Sequence, residues 1–175
     1  MNFLAIVLLT AAGLYGSDPD FISRSDLRIF FHQQEISEDQ LKEVMARSIN
    51  NTDAVSIAYM GMCQTMMAQY AFLPTTKLEY FNNGKQAIEE AISTDRSNAE
   101  LRYIRLLVQL NAPWFLGYNK NISEDMDVFL KAVHTEKISG DWKKKFTGDL
   151  LMSKNLSPEQ KSKLEKAMLS NFARS

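Results

Sequence analysis

The chain has little cysteine, glycine, proline or histidine. Of its 175 residues, one is cysteine, 7 are glycine, 4 are proline and 2 are histidine. A single cysteine, Cys63, excludes an intramolecular disulfide framework, and the methionine-rich segment around it predicts a buried, unreactive thiol. The scarcity of glycine and proline disfavours a fold with many tight turns and favours long helices.

The chain also lacks an excess of charge of one sign, because its formal net charge is −1 at pH 7. No global attraction to nucleic acid or to an anionic membrane follows from that balance. The charge is uneven, however, and lysines dominate the part from Lys137 onward. We interpret these lysines as a solvated helix face, with docking to an acidic partner as the alternative and no nucleic-acid binding, because no aromatic stacking pattern accompanies them. The lysines concerned are Lys143, Lys144, Lys145, Lys161, Lys163 and Lys166.

No apolar run is long enough for a comfortable membrane span, which needs about 20 residues. The run from Phe3 to Leu14 is uncharged and contains or precedes small residues, a pattern typical of a secretory signal peptide, although no Lys or Arg precedes it. We therefore expect residues 1–16 to be a cleaved signal peptide. The mature protein would be periplasmic or secreted, without a stable membrane anchor. An uncleaved apolar N-terminal helix is the alternative.

Residues 17–175 are predicted to form a single all-α domain of about seven or eight antiparallel helices, because helical periodicity recurs and no segment alternates like a strand. Ser37 with Gln40 predicts a capping box, and Pro74 occupies the place of a first-turn proline. Two glycines inside apolar helical runs, Gly61 and Gly84, indicate close approach of neighbouring helices. The other predicted helix starts are Ser23 or Ser25, Thr52, Asn98, Ser123, Ser139 and Ser157.

The middle of the chain resembles the tetratricopeptide repeat. ISTDRSNAE, residues 92–100, is similar to the junction between two such repeats, where one helix ends and the next begins. Upstream, Gly84, Ile88 and Ala91 have the small–large–small spacing of the repeat's second helix. Arg96 departs from the motif, which has proline at that position.

The resemblance implies antiparallel helical hairpins stacked as a short array around residues 52–137, closed by a C-terminal helical hairpin. It also implies a groove, lined by the first helices of the repeats, that binds a peptide or protein. The overall layout resembles that of small exported bacterial helical proteins as well, a group that implies no activity.

Residues that could perform catalysis or hold a metal are sparse. His32 and His134 are far apart in sequence, without clustered acids, and are interpreted as structural or surface residues. The segment from Asn119 begins like a calcium loop, but Glu124 stands where glycine is required and Leu130 where glutamate is required. We therefore predict no enzyme activity, no cofactor and no metal.

The candidate binding site is the run LRYIRLLVQL, residues 101–110, which is apolar nearly all round and therefore predicted to be a central helix. Arg102, Arg105 and Gln109 fall on one face of it. Because an unpaired buried charge is costly, the two guanidinium groups require partners. Internal acids such as Glu89, Glu90 or one from the final helices would serve; alternatively, the arginines line a groove and bind a ligand carboxylate.

The segment NAPWFLGYN, residues 111–119, is unusually apolar for a loop. Pro113 is expected to end the preceding helix and Gly117 to allow a sharp turn. The apolar residues between them are predicted to fold back as a plug over the helical core, with a wall of the ligand groove as the alternative. Tyr118, with its polar tip, is expected nearest the surface. The plug residues are Trp114, Phe115 and Leu116.

These features together predict a non-catalytic module that binds a peptide or protein. The alternative is a structural subunit that docks into an envelope assembly through an exposed apolar patch or through the basic C-terminal hairpin. The predicted binding residues are Arg102, Arg105, Gln109, Trp114 and Tyr118.

Overall fold

A computed structural model describes residues 22–33, 35–135 and 138–172, with side chains described as far as residue 169. These residues form eight α-helices and one 3₁₀ turn, and the described ranges contain no strand, which confirms the all-α class. The predicted signal peptide, residues 1–16, lies outside the described residues. The helices are α1 (Arg24–Phe31), α2 (Glu38–Arg47), α3 (Ala54–Met67), α4 (Pro74–Thr94), α5 (Ala99–Asn111), α6 (Ile122–His134), α7 (Gly140–Leu151) and α8 (Pro158–Phe172), and the 3₁₀ turn is Trp114–Leu116.

Most helices begin where the sequence predicts. Ser23 caps α1, and Asn98 caps α5 by accepting hydrogen bonds from the first-turn amides. The predicted capping box is complete, since the Ser37 hydroxyl accepts from the Gln40 amide at 3.3 Å and the Gln40 side chain accepts from the Ser37 amide at 2.9 Å. Pro74 is at the first position of α4. Local hydrogen bonding therefore sets these boundaries.

Two starts differ from the prediction by one or two residues. The cap of α3 is Asp53 rather than Thr52, because the Asp53 carboxylate accepts from the Ser56 amide at 3.2 Å. The residue before α6 is Asn121 rather than Ser123. With either start, Glu124 and Asp125 lie in the first turn of α6, where the helix dipole favours acidic residues.

The packing of α3 on α4 is the closest in the molecule. Gly61 of α3 and Gly84 of α4 face each other: a Cβ atom on Gly61 would lie 2.6 Å from the Gly84 carbonyl oxygen, and a Cβ on Gly84 would overlap the Gly61 carbonyl. The prediction of close approach at both glycines is confirmed, with each as the other's neighbour. Only glycine allows the two backbones to touch at this crossing.

The central helix is α5, which packs against α3, α4, α6 and α7. Buried residues occur on every face of it, as predicted for a run that is apolar nearly all round. At the C-terminal end α7 and α8 pack against each other, as expected for a helical hairpin. Within the described part of the chain, no helix combines the length and the apolar character needed to cross a membrane.

One side chain of α4 and one of α7 lie opposite to their predicted environment. The helical spacing of Leu78 with Phe81 and Ile88 predicts that it is buried, but it is 48% exposed, because it lies before the first buried residue of α4, Phe81. Lys143, assigned to a solvated face, is buried on the inner face of α7 with Phe146 and Thr147. A lysine tolerates this position because its long aliphatic stem can pack in the core. The other lysines of that group are exposed, as predicted.

Candidate functional site

The inner face of α5 carries two arginines that bind one buried carboxylate. Arg102 and Arg105 are each 3% exposed. The Arg102 Nη1 donates to Asp125 Oδ1 at 2.8 Å, while Arg105 donates from Nε to Oδ2 and from Nη2 to Oδ1, both at 2.7 Å. Asp125, in the first turn of α6, is fully buried. Its carboxylate therefore joins α6 to α5 through three charge-assisted hydrogen bonds.

Further partners complete both guanidinium groups. The Arg105 Nη1 donates to Glu89 Oε2 on α4 at 2.6 Å. Arg102 donates to the carbonyl oxygen of Arg96 from Nε at 2.9 Å and from Nη2 at 2.7 Å, and its Nη1 lies 2.9 Å from Glu124. We call Arg102, Arg105, Asp125, Glu89 and Tyr118 the arginine cluster.

The surroundings of Arg105 in the arginine cluster stabilise its charged form. Burial lowers the pKa of Arg105, but its hydrogen bonds and Coulomb attraction to Asp125 and Glu89 raise it by more, so the pKa lies above its usual value. Burial, together with the neighbouring Glu89 carboxylate, raises the pKa of Tyr118. Tyr118 thus remains a neutral donor and gives its hydroxyl proton to Glu89 Oε1 at 2.8 Å.

These contacts favour the internal alternative for the two arginines. Arg102 and Arg105 bind carboxylates of the protein itself, and Glu89 is one of the acids named for that role. The principal partner, Asp125, was not among the acids named. It is separated from the arginines by 20 and 23 positions, so no local periodicity could pair them.

Gln109, the third residue of the predicted face, is also buried. Neither its amide nitrogen nor its amide oxygen has a hydrogen-bond partner among the described residues. It differs in this from Arg102 and Arg105, although it lies one helical turn beyond Arg105 on the same face of α5. Gln109 therefore offers no exposed group to a partner.

The segment after α5 is an ordered turn with an exposed aromatic pair. Residues 113–117, which we call the aromatic turn, are held by hydrogen bonds of 3.1 Å from the Leu116 amide to the Pro113 carbonyl and from the Gly117 amide to the Trp114 carbonyl. Gly117 has φ 62°, in the left-handed region, so its predicted role in the turn is confirmed. Trp114 is 85% exposed and Phe115 is 69% exposed. The predicted plug is therefore wrong, and only Leu116 packs partly against the core.

Tyr118 was expected near the surface, but it is 6% exposed. Its ring meets Phe81 of α4 edge to face, with 5.8 Å between the ring centroids, and the Lys85 Nζ lies 5.2 Å from its centroid. Its hydroxyl reaches Glu89 in the arginine cluster. Tyr118 therefore anchors the aromatic turn to α4.

Polar contacts connect the C-terminal end of α5, just before the aromatic turn, to the connection between α7 and α8. The Asn155 amide donates to the Leu110 carbonyl at 3.1 Å, and the Lys154 amide donates to the Asn111 side chain at 3.3 Å. Lys154 and Lys120 are both exposed. Exposed lysines therefore lie on the segments that adjoin the aromatic turn on both sides.

The cysteine and the two histidines of the chain lie in different environments. Cys63 is fully buried and burial raises the pKa of its thiol, which confirms the predicted unreactive core cysteine. His134 is exposed and His32 is packed between helices. Among the described residues, no three histidine, cysteine, aspartate or glutamate side chains are grouped so as to hold a metal ion.

No protein-family model, curated protein or solved structure matches this chain. The resemblance of residues 92–100 to a tetratricopeptide junction, and the stacked-hairpin array that it implies, therefore remain predictions.

Proposed function

We propose that this protein is a non-catalytic, exported helical module that binds a peptide or protein partner through the aromatic turn. The observation that carries the proposal is the exposure of two adjacent large aromatic side chains, Trp114 and Phe115. Burying such a side chain contributes roughly 1.5–3 kcal/mol. Aromatic residues are also enriched among the residues that dominate binding energy at interfaces.

The aromatic turn is pre-organised for binding. Pro113 restricts the backbone at its start, and Gly117 adopts the required left-handed conformation at its end. The next residue, Tyr118, is buried in the core. A partner would therefore bind Trp114 and Phe115 on a backbone that is already ordered. The entropy lost on binding is correspondingly smaller than for a flexible loop.

The lysines on the adjoining segments indicate the chemistry of the partner. Lys120 follows the aromatic turn in the chain, and the Lys154 amide contacts Asn111 just before the turn; both side chains are exposed, whereas the acid Glu89 is engaged by Arg105 and Tyr118. Charge complementarity at an interface favours the oppositely charged partner. The partner segment is therefore an apolar stretch of polypeptide flanked by acidic residues.

A structural subunit is the second candidate. Phe72 and Leu73, in the connection between α3 and α4, are also exposed, as are Leu78 of α4 and Met152 after α7. A structural subunit would use exposed apolar residues of this kind to associate with another subunit. That function requires the mature chain to self-associate or to assemble through these residues.

Panning of a phage-displayed random peptide library against the mature chain tests the proposal. We expect the selected peptides to combine apolar and acidic residues. Their affinity should fall by about 30-fold or more for the Trp114→Ser, Phe115→Ser double variant, which corresponds to a loss of about 2 kcal/mol. The matched control is Ile49→Ser with Leu169→Ser, two exposed apolar residues on other helices or turns.

Sedimentation equilibrium separates the two candidates. If no selected peptide distinguishes the aromatic variant from the control, peptide binding through the aromatic turn is contradicted. Self-association that is abolished by Phe72→Ser with Leu73→Ser would then favour the structural subunit.

A further inference from the structure

His32 contacts α1 through one ring nitrogen and α7 through the other. It is the C-terminal cap residue of α1, and its Nδ1 lies 2.6 Å from the carbonyl oxygen of Arg28. Its Nε2 lies 2.9 Å from Oδ2 of Asp149 on α7, an ion-pair contact that does not have hydrogen-bond geometry. The side chain of His32 is 10% exposed, so water competes weakly for either contact.

The two partners select the protonated ring. A neutral imidazole carries one N–H group and one acceptor nitrogen, whereas a carbonyl oxygen and a carboxylate are both acceptors. The imidazolium form donates from Nδ1 to the Arg28 carbonyl and carries the positive charge that attracts the Asp149 carboxylate 2.9 Å from Nε2. A neutral His32 would lose that attraction.

Other groups near the His32 ring change its preference for the protonated form without reversing it. Tyr103 donates its hydroxyl proton to the same Asp149 oxygen at 2.5 Å and thereby orients the carboxylate. Burial of the ring lowers the pKa of His32, but the Asp149 carboxylate and the Arg28 carbonyl raise it by more, so the pKa lies above its usual value despite the opposing charge of Lys145. The charged or titratable groups around the ring are Arg28 of α1, Tyr103 and Glu100 of α5, and Lys145 and Asp149 of α7.

A cleft near this contact is lined by residues of α1, of α7 and of the connection from α4 into α5. Its volume is about 470 Å³, and its lining includes Arg24 and Arg28 of α1 and Trp142 and Phe146 of α7. The rings of Trp142 and Phe146 also contact His32, at centroid distances of 5.2 and 5.8 Å. The contact between His32 and Asp149 therefore connects two of the helices that line the cleft.

We propose that His32 is a pH-sensitive latch: its protonated ring holds α1 against α7 through Asp149, and loss of the proton loosens α1 and opens the cleft. The latch is independent of the proposed function of the aromatic turn. Leu27 and Phe30 keep α1 anchored in the core at every pH, so deprotonation increases the frequency of local opening rather than unfolding the protein.

The direction of the pH dependence follows from the raised pKa of His32. The stabilising contribution of the latch is complete below the ordinary pKa of histidine and is lost as pH rises through the raised value. Each unit by which the pKa is raised corresponds to about a tenfold change in the closing equilibrium of α1.

NMR titration of the His32 ring tests the first part of the proposal. We expect His32 to titrate above the ordinary pKa of histidine. Asp149→Asn should lower the pKa of His32, because it removes the charge of the carboxylate. A wild-type His32 that titrates at or below the ordinary pKa of histidine overturns the latch.

Amide hydrogen exchange of α1 tests the conformational part. Rates corrected for the intrinsic pH dependence of exchange should rise across the titration of His32, by about tenfold for each unit of its pKa shift. His134→Gln should retain this step, and His32→Gln, which cannot titrate, should lose it. The wild type and His134→Gln are sufficient for this test, so the test remains valid even if the His32→Gln variant does not fold. A wild-type α1 without a pH-dependent step contradicts the proposal.

Discussion

The arginine cluster and the aromatic turn are adjacent in the molecule and opposite in character. Tyr118 belongs to the first and immediately follows the second. In the cluster, charged side chains are almost completely buried; in the turn, tryptophan and phenylalanine are mostly in solvent. The difference shows that burial in this protein depends on the available partners, more than on the polarity of a residue alone.

The arginine cluster is buried because its charges compensate one another. Removing a guanidinium group from water is costly, and that cost is offset only when hydrogen bonds and opposite charges meet it with good geometry. Asp125 and Glu89 do so for Arg105, at 2.6–2.7 Å. Within the described part of the chain, no such contact buries the rings of Trp114 and Phe115, which contact each other at 6.3 Å between centroids.

Removal of the Asp125 carboxylate, at the centre of the arginine cluster, should lower stability most. Asp125→Asn keeps the shape of the side chain but leaves two buried arginines with less compensating charge, and we expect the free energy of unfolding to fall by about 3–5 kcal/mol. The change is measurable as a lower urea midpoint.

The matched control for that substitution is Glu124→Gln. Glu124 lies next in the chain and also contacts Arg102, but its side chain is 56% exposed, so solvent screens the ion pair. We expect a loss within about 1 kcal/mol. Equal losses for the two variants would mean that Asp125 is not the centre of the cluster.

Tyr118→Phe should have a smaller effect, because it removes one hydrogen bond and keeps the ring against Phe81. We expect a loss of about 1 kcal/mol, measured by urea denaturation, since the Glu89 carboxylate then loses a buried donor. Tyr70→Phe is the control: its hydroxyl also donates a hydrogen bond, to the Ile36 carbonyl, but at an exposed position. If Tyr70→Phe lowers the free energy of unfolding as much as Tyr118→Phe does, the role of Tyr118 as an anchor is contradicted.

The aromatic pair should contribute least to stability. Trp114→Ser with Phe115→Ser removes two large side chains that are already in solvent, and we expect the free energy of unfolding to change by no more than about 0.5 kcal/mol for each. Phe81→Ala, at a buried aromatic residue of α4 that contacts Tyr118, should cost about 3–5 kcal/mol. A thermal melt of the double variant that falls as far as that of Phe81→Ala would show that the pair packs on the protein in solution.

Local features of the fold were predictable because their causes lie within a few residues. The capping box of Ser37 and Gln40, the proline that starts α4 and the left-handed Gly117 each depend on hydrogen bonds or backbone geometry of the same segment. Gly61 and Gly84 were each predicted to face a neighbouring helix, but that they face each other follows only from the packing of α3 on α4.

The candidate site was predicted less well, because it depends on residues far apart in the chain. A central α5 with buried arginines follows from its apolar periodicity, yet the identity of their partner requires the position of α6 relative to α5. Tyr118 was expected near the surface and Trp114 over the core, and the structure shows the reverse. Which aromatic ring is buried depends on the positions of Phe81 and Glu89 of α4.

The sequence by itself determined the all-α class, the helix boundaries to within a few residues and the requirement that Arg102 and Arg105 find partners, because periodicity, capping and the cost of desolvating a charge are properties of short segments. Only the tertiary structure decided that Asp125 is that partner, that the aromatic turn points into solvent, and that His32 meets Asp149 between α1 and α7. Those contacts join residues of different helices, and their geometry exists only once the helices have packed.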